Sequence, residues 1–380
     1  MNSLKLKLNY KIRFLVGIII GVIGLYYFSY NKSGNINFEE LPLSQNMSFK
    51  YGEVESYNVH CQDLSNIDKC LSSYFKNGNN LPVTLWLGNS QLNVITNPKT
   101  GDELSSEGLH KLLKKKGQYL ITLSQPNANL QEHFLLALHL MQKLPIENFI
   151  LPVVFDDLRE NKIRKGVENI FNDEISKNFI VGSSATGRRL YNNYLSNNKD
   201  NYDNFKDNKT QSFQENTEKY LNKNLEKIWT LWSMRHDLRG RLIIFLHKLR
   251  NYAFNINASS IRKMLPSHYT NNFLAIEDLM KVLNSKRIKT LIYIAPIRDD
   301  YKIPYNLNDY NKFKKDLEYL SKKNNIKLTN FENIIPGFLW GKKYAISFDK
   351  KDELDFMHIP GVGHDMLTNS IYQEIVKLID

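Results

Sequence analysis

Four short apolar runs punctuate the chain: residues 81–88 (LPVTLWLG), 118–123 (QYLITL), 149–155 (FILPVVF) and 290–297 (TLIYIAPI). Such runs suit strands buried on both faces, as in a parallel sheet covered by helices. Helix-like segments lie at 105–116, 131–144, 273–285 and 366–378. Strands alternating with helices predict an α/β fold with a mostly parallel sheet. Residues 31–80 are polar and turn-rich with little periodicity, and predict a linker or N-terminal extension before a main domain at 81–380. Residues 192–224 interrupt the rhythm with Asn, Lys and Asp, and predict a long surface loop or partly ordered insertion. From 225 to 254 the chain reads as helical, with Trp229, Trp232, Leu238, Ile243, Phe245, Leu246 and Leu249 as packing candidates. Together these stretches predict a helical, Asn-rich insertion at about 185–255.

The N-terminus carries a different pattern. Lys5, Lys7, Lys11 and Arg13 precede an uncharged run at 14–30, FLVGIIIGVIGLYYFSY. As a helix this run spans roughly 25 Å, near the lower limit for a hydrocarbon core of about 30 Å. Tyr26, Tyr27, Phe28 and Tyr30 sit where an interfacial belt would. The flanking positive charge predicts the N-terminus inside and the remainder outside. A cleaved signal peptide is the rival reading, but the run exceeds a usual signal core and bulky residues replace the small-residue cleavage site. A buried helix would need an amphipathic period, which the run lacks. The expectation is a single-pass anchor at 1–30 with an extracytoplasmic main domain.

At 380 residues and 42 % hydrophobic content, the chain can form one large domain or two ordinary ones. The net charge of +12 is spread along the sequence. No zinc-ligand spacing, RNP-like sequence or basic dimer motif accompanies it, which argues against nucleic acid and leaves an acidic envelope partner. Arg235, Arg239, Arg241 and Arg250 share the helical stretch and form either a solvated face or an anion site. The two cysteines, Cys61 and Cys70, either close one short loop in an oxidising compartment or are both free and buried. Neither has metal or redox spacing, and no cofactor is expected.

Ser90 follows the first strand directly, in Leu87-Gly88-Asn89-Ser90-Gln91. A serine beyond a parallel strand's carboxyl end lies where α/β folds place their sites. The competing reading is a helix N-cap. Near the C-terminus stand Asp355-Phe356-Met357-His358 and then Gly363-His364. A serine nucleophile needs a base, and the base needs an acceptor that fixes its tautomer. Asp355 and His358 on one short loop supply both roles. His364 has no acid at that spacing and is expected to build the loop or cap the following helix.

The Gly-Asn-Ser block, and Asp-x-x-His followed by Gly-His before a terminal helix, resemble the SGNH (GDSL-like) hydrolase superfamily. With its N-terminal anchor, the chain looks like extracytoplasmic members that work beside membrane-bound O-acyltransferases, as in alginate acetylation and teichoic-acid D-alanylation. Tyr293-Ile294-Ala295-Pro296-Ile297-Arg298 and Trp340-Gly341 look like further landmarks of that group. The resemblance spans roughly residues 80–380 and implies a three-layer, flavodoxin-like fold. It implies Ser90, His358 and Asp355 as a catalytic triad, acting as an O-acyltransferase or esterase on an envelope polysaccharide.

The middle blocks depart from that pattern. Where the superfamily supplies oxyanion donors from a Gly and an Asn, this chain has Pro126-Asn127-Ala128-Asn129 and Val154-Phe155-Asp156-Asp157. An ionised carboxylate cannot donate, so Asp156 would serve only to bind substrate. The Ser90 N–H, Asn127 and Asn129 remain as oxyanion candidates, with ordinary turn residues the bland reading for the two asparagines. Arg298 and Asp299-Asp300 follow a strand end, and Arg298 either holds an anionic substrate group or makes a structural ion pair. Gly182-Ser183-Ser184-Ala185 resembles a rival nucleophile but reads as a turn. Two other functions compete: an inactive SGNH scaffold that binds polymer or a membrane acyltransferase, and a lipase or esterase for small substrates.

Overall fold

The computed structural model describes residue 21 and residues 47–50, 52–78, 80–197, 217, 220–225, 232, 235–348 and 352–380. Apart from Gly21, the expected anchor at 14–30 lies outside the described residues, as does most of the Asn-rich stretch. Among the described residues, no helix is long and apolar enough to cross a membrane.

A seven-stranded sheet organises one compact unit, residues 42–202, 257–345 and 350–380. Its strands are β1 (Gly52–Val54), β2 (Tyr57–Cys61), β3 (Val83–Gly88), β4 (Tyr119–Ser124), β5 (Ile146–Val153), β6 (Lys289–Ile294) and β7 (Lys327–Asn330). They lie in the order β1-β2-β4-β3-β5-β6-β7. Only the β1–β2 pair is antiparallel. Central β3 pairs with β4 through Leu85↔Ile121 and with β5 through Leu85↔Phe149. The chain runs from β3 to one neighbour and then crosses to the other. That reversal opens a crevice at the carboxyl end of β3, where α/β sheets hold ligands.

Period-two alternation sets the layers. Leu85 and Leu87 of β3 face a core with Cys70 and Tyr74 of α1 (Ile67–Asn77) and Phe134 of α3 (Leu130–Leu140). Ile276 of α7 (Pro266–Ser285) and Phe313 of α8 (Leu307–Lys323) complete it. Trp86 faces the opposite core, with Leu109 and Leu113 of α2 (Ser105–Lys114) and Leu367 and Ile371 of α9 (Gly361–Ile379). Full burial of one such side chain contributes about 1.5–3 kcal/mol, so a one-residue slip of β3 would invert a costly pattern. The unit is therefore three-layered with a mostly parallel sheet, as the apolar runs predict.

The expected boundary at residue 81 is corrected. Strand β2 pairs in parallel with β4, His60↔Thr122 and Cys61↔Leu123, so the sheet reaches back through residues read as a linker. The cause is compositional: β2 is the short, mixed sequence YNVHC, buried only in its second half, and shows no apolar run.

The insertion also begins later than expected. Helices α4 (Glu174–Ser183) and α5 (Ala185–Asn197) belong to the sheet's unit, and the second unit comprises residues 1–41, 203–256 and 346–349. Its described residues include α6 (Arg235–Ala253). Ile243, Leu246 and Leu249 of α6 are exposed, contrary to the packing expectation. Leu242, Phe245, Leu246 and Leu249 recur at i, i+3, i+4 and i+7 and so share one helical face, yet all four are exposed. Phe245 does meet Phe348, ring centroids 5.4 Å apart. Trp229 and the side chains of Arg235, Leu238 and Arg241 lie outside the described residues.

Cys61 and Cys70 are disulfide-bonded across nine positions, joining β2 to α1. Closing a loop of that length contributes about 2–3 kcal/mol through the unfolded chain. Cys70→Ser should lose about that much in urea unfolding, and reducing agent should then shift the variant no further; an additional shift would contradict the assignment.

Candidate active site

Ser90 begins a 3-10 turn, Ser90–Leu92, directly after β3. Asn89 caps that turn, its Oδ1 accepting the Gln91 N–H at 3.0 Å. A Cβ at Gly88 would meet the Leu92 side chain, so a larger residue there would have to displace Leu92 at the exit from β3. Ser90 is left partly exposed at the crevice while Asn89 and Gln91 are buried on either side.

The C-terminal loop comes to it from 268 positions away. Asp355 folds its own loop: Oδ1 accepts from the N–H groups of Met357 at 2.9 Å and His358 at 3.1 Å. This carboxylate turn explains why acid and base stand three apart. Its other oxygen, Oδ2, lies 2.8 Å from His358 Nδ1. A carboxylate only accepts, so Nδ1 carries the proton and Nε2 is free to accept. His358 Nε2 lies 3.1 Å from Ser90 Oγ. Burial works to raise the Asp355 carboxyl, but the charge and hydrogen bond of His358, with Lys343 and the Met357 N–H, outweigh it and hold the group well below the usual range.

Two connections fix the loops against each other. Ile359–Pro360 pairs in parallel with Val94–Thr96, Ile359↔Ile95, beside a third strand Met47–Phe49. Gln91 Nε2 donates to Pro296 O at 3.0 Å and to Met357 O at 2.9 Å, tying the serine turn to the end of β6 and to the histidine loop. His364 is fully buried beneath them: Nδ1 lies 3.1 Å from Ser105 N, Nε2 3.1 Å from Val94 O, and burial lowers its pKa to about 4. It helps build the loop, as expected, but the helix it caps is α2 and not the one that follows it, α9, in whose first turn it lies.

The remaining candidates part company. Asn127 is exposed with φ 53° on the loop after β4, and Gln125 N of that loop donates to Gly88 O at 2.8 Å. It stays available at the strand ends. Asn129 does not: its Oδ1 accepts from Gln131 N and Glu132 N as the cap of α3, and its Nδ2 donates to Lys162 O. Asp156, a substrate-binding candidate, is paired with Arg262 and Arg159 and accepts the Tyr305 hydroxyl at 3.0 Å. Arg298 makes the structural ion pair that was one of its two readings. It is buried, forms a two-pronged pair with Asp300, and donates to Gly341 O, which also accepts from Asp355 N. Its work is to hold the acid's loop. Ser183 donates to Ile180 O at the end of α4, and Ser184 Oγ accepts from Gly187 N, so the rival nucleophile is a helix junction.

Sequence reasoning missed Gln91 and Asp157. Asn89 Nδ2 donates to Asp157 Oδ2 at 3.0 Å, joining the serine turn to the segment after β5. Burial pushes the Asp157 carboxyl well above its usual range; the Asn89 hydrogen bond and Arg164 oppose this, while Asp156 and Glu132 reinforce it. The adjacent pair Asp156-Asp157 was the available signal, but nothing in it says which of the two is buried.

No protein-family model matches the chain, and no curated protein matches it either. Among solved structures, one described as a "putative acylhydrolase" from Bacteroides fragilis is 11 % identical, covering 84 % of this chain and all of its own, with a TM-score of 0.35. A likeness that distant decides neither fold nor chemistry.

The two carboxyls make opposite contributions to stability. Asp355, depressed on folding, stabilises above about pH 4 and loses that contribution as pH falls. Asp157, raised on folding, contributes fully below about pH 4 and loses that contribution as pH rises toward its folded value. Asp157→Asn keeps the acceptor for Asn89 and removes the ionisation, so its melting temperature should match the parent near pH 4 and exceed it near pH 8. Parallel curves across that range would contradict the buried-acid assignment.

Proposed function

We infer that the protein is a serine esterase or O-acyltransferase of SGNH type, with Ser90 as nucleophile, His358 as base and Asp355 as the group that orients it. The observation that carries this is the continuous contact Ser90 Oγ–His358 Nε2, His358 Nδ1–Asp355 Oδ2, at 3.1 and 2.8 Å. Ser90 Oγ would attack an acyl carbonyl as its proton passes to His358 Nε2, and the Asp355 carboxylate would stabilise the imidazolium. That proton then leaves with the departing alkoxide, giving an acyl-serine. Water, or a hydroxyl of an acceptor, attacks the acyl-serine while His358 takes its proton, and Ser90 is regenerated. The Ser90 N–H and Asn127 are the proposed oxyanion donors.

With the N-terminal run read as an anchor, the domain would work outside the membrane on an envelope polysaccharide or related acyl acceptor, beside a membrane-bound O-acyltransferase. A second reading, a scaffold with weak or no activity, draws support from Asn129 and Asp156, whose side chains are committed elsewhere.

Hydrolysis of p-nitrophenyl acetate separates the two readings. Ser90→Ala and His358→Ala should fall to the background rate, and Asp355→Asn should lose about 10⁴-fold through the wrong histidine tautomer. Folded parent protein indistinguishable from Ser90→Ala would favour the scaffold.

A further inference from the structure

Helix α6 presents an apolar face to solvent. Leu242, Phe245, Leu246 and Leu249 share that face, and Tyr252 continues it three residues on; all five are exposed. Phe245, at one border, meets Phe348, which is itself exposed and extends the patch. The helix is fastened by its opposite side. There Asn251 is fully buried, its Nδ2 donating to Ile346 O at 2.8 Å and its Oδ1 accepting from Arg250 Nη2 at 2.8 Å. The segment at 346–349 belongs to the same unit as α6. The polar side is thus seated on its own unit, and the apolar side is turned away from it.

Cations border the apolar face. At roughly 100° per residue, Arg239 and Arg250 fall along one edge and Lys248 along the other, with His247 on the far side. The sequence of α6 holds five Lys and Arg residues against one acid, Asp237. Such a surplus suits an anionic surface. An apolar stripe between two basic borders is the pattern of a helix lying in the plane of a bilayer surface. Its Lys and Arg stems then cover apolar surface while their charged ends reach the headgroups. The same unit takes in residues 1–41, and with them the uncharged run at 14–30. Read as an anchor, that run brings a bilayer to this unit.

We propose that α6 docks on an anionic lipid surface, with Leu242, Leu246 and Leu249 among the acyl chains and Arg239, Lys248 and Arg250 at the headgroup phosphates. This assigns a surface outside the candidate triad and holds whether or not Ser90 is a nucleophile. It borrows from the N-terminal reading only the nearness of a bilayer.

The full chain, reconstituted into vesicles of phosphatidylcholine and phosphatidylglycerol, would carry the polarity-sensitive dye NBD on Leu246→Cys or, as the far-side control, on His247→Cys. Dye at 246 should shift to the blue and be quenched by lipids brominated in the acyl chain, whereas dye at 247 should do neither. Quenching at 246 should fall about twofold or more in phosphatidylcholine alone, and likewise when Arg239→Gln, Lys248→Gln and Arg250→Gln are combined. Both labelled proteins should keep the parent's melting temperature, so that a dye reporting water reports it from folded protein. Unquenched dye at 246, equal quenching at 246 and 247, or quenching indifferent to lipid charge would overturn the proposal. A blue shift without quenching would set the face against protein, a second copy of the chain included, and would overturn it equally.

Discussion

Two residues of parallel pairing, Ile359 and Pro360 against Ile95 and Thr96, hold together segments more than 260 positions apart. Everything the candidate site requires depends on that closure. The serine turn is fixed by β3 and the histidine loop by Asp355, but each is local. The small sheet, the Gln91 side chain and buried His364 bring them into contact. Loop closure on this scale carries a large entropic cost before any contact forms. Buried Gln91, fully buried Ile359 and fully buried His364 are the local contacts that offset it.

The site thus concentrates buried polar groups in a way that constrains its chemistry. Asp355 keeps its negative charge because His358, Lys343 and two backbone N–H groups favour it against burial. Asp157, which accepts from Asn89, is raised because burial, with Asp156 and Glu132, outweighs the Asn89 hydrogen bond and Arg164. Asp355 Oδ2 is the acceptor that faces His358 Nδ1, and it fixes the tautomer in which Nε2 faces Ser90.

Much of this was legible in the sequence, for reasons that can be named. The runs at 81–88, 118–123, 149–155 and 290–297 declared themselves because strands buried on both faces are continuously apolar. Strand β2 and the strands Val94–Thr96 and Ile359–Pro360 did not, being too short and mixed to carry a period. Ser90, His358 and Asp355, which the structure brings into contact, could be picked out because a serine at a strand end and an acid and a histidine three apart on one loop form a pattern visible in sequence. Asn129, Asp156 and Arg298 misled because a polar residue after a strand looks the same whether it faces a ligand, caps a helix or pairs with a neighbour. Lys162 and Arg262, the partners of Asn129 and Asp156, are settled by tertiary packing, whereas Asp300 stands only two positions from Arg298. The apolar residues of α6 misled for another reason: an apolar helical face reads as core whether or not it is covered, and this one is exposed.

The central claim is that Ser90 is an activated nucleophile, and covalent labelling tests it most directly. Treating the protein with a fluorophosphonate and mapping the adduct by peptide mass should place it on Ser90, with none on Ser183 or Ser184. The adduct should disappear in His358→Ala. An unlabelled Ser90 in folded protein, or labelling that persists without His358, would contradict the account.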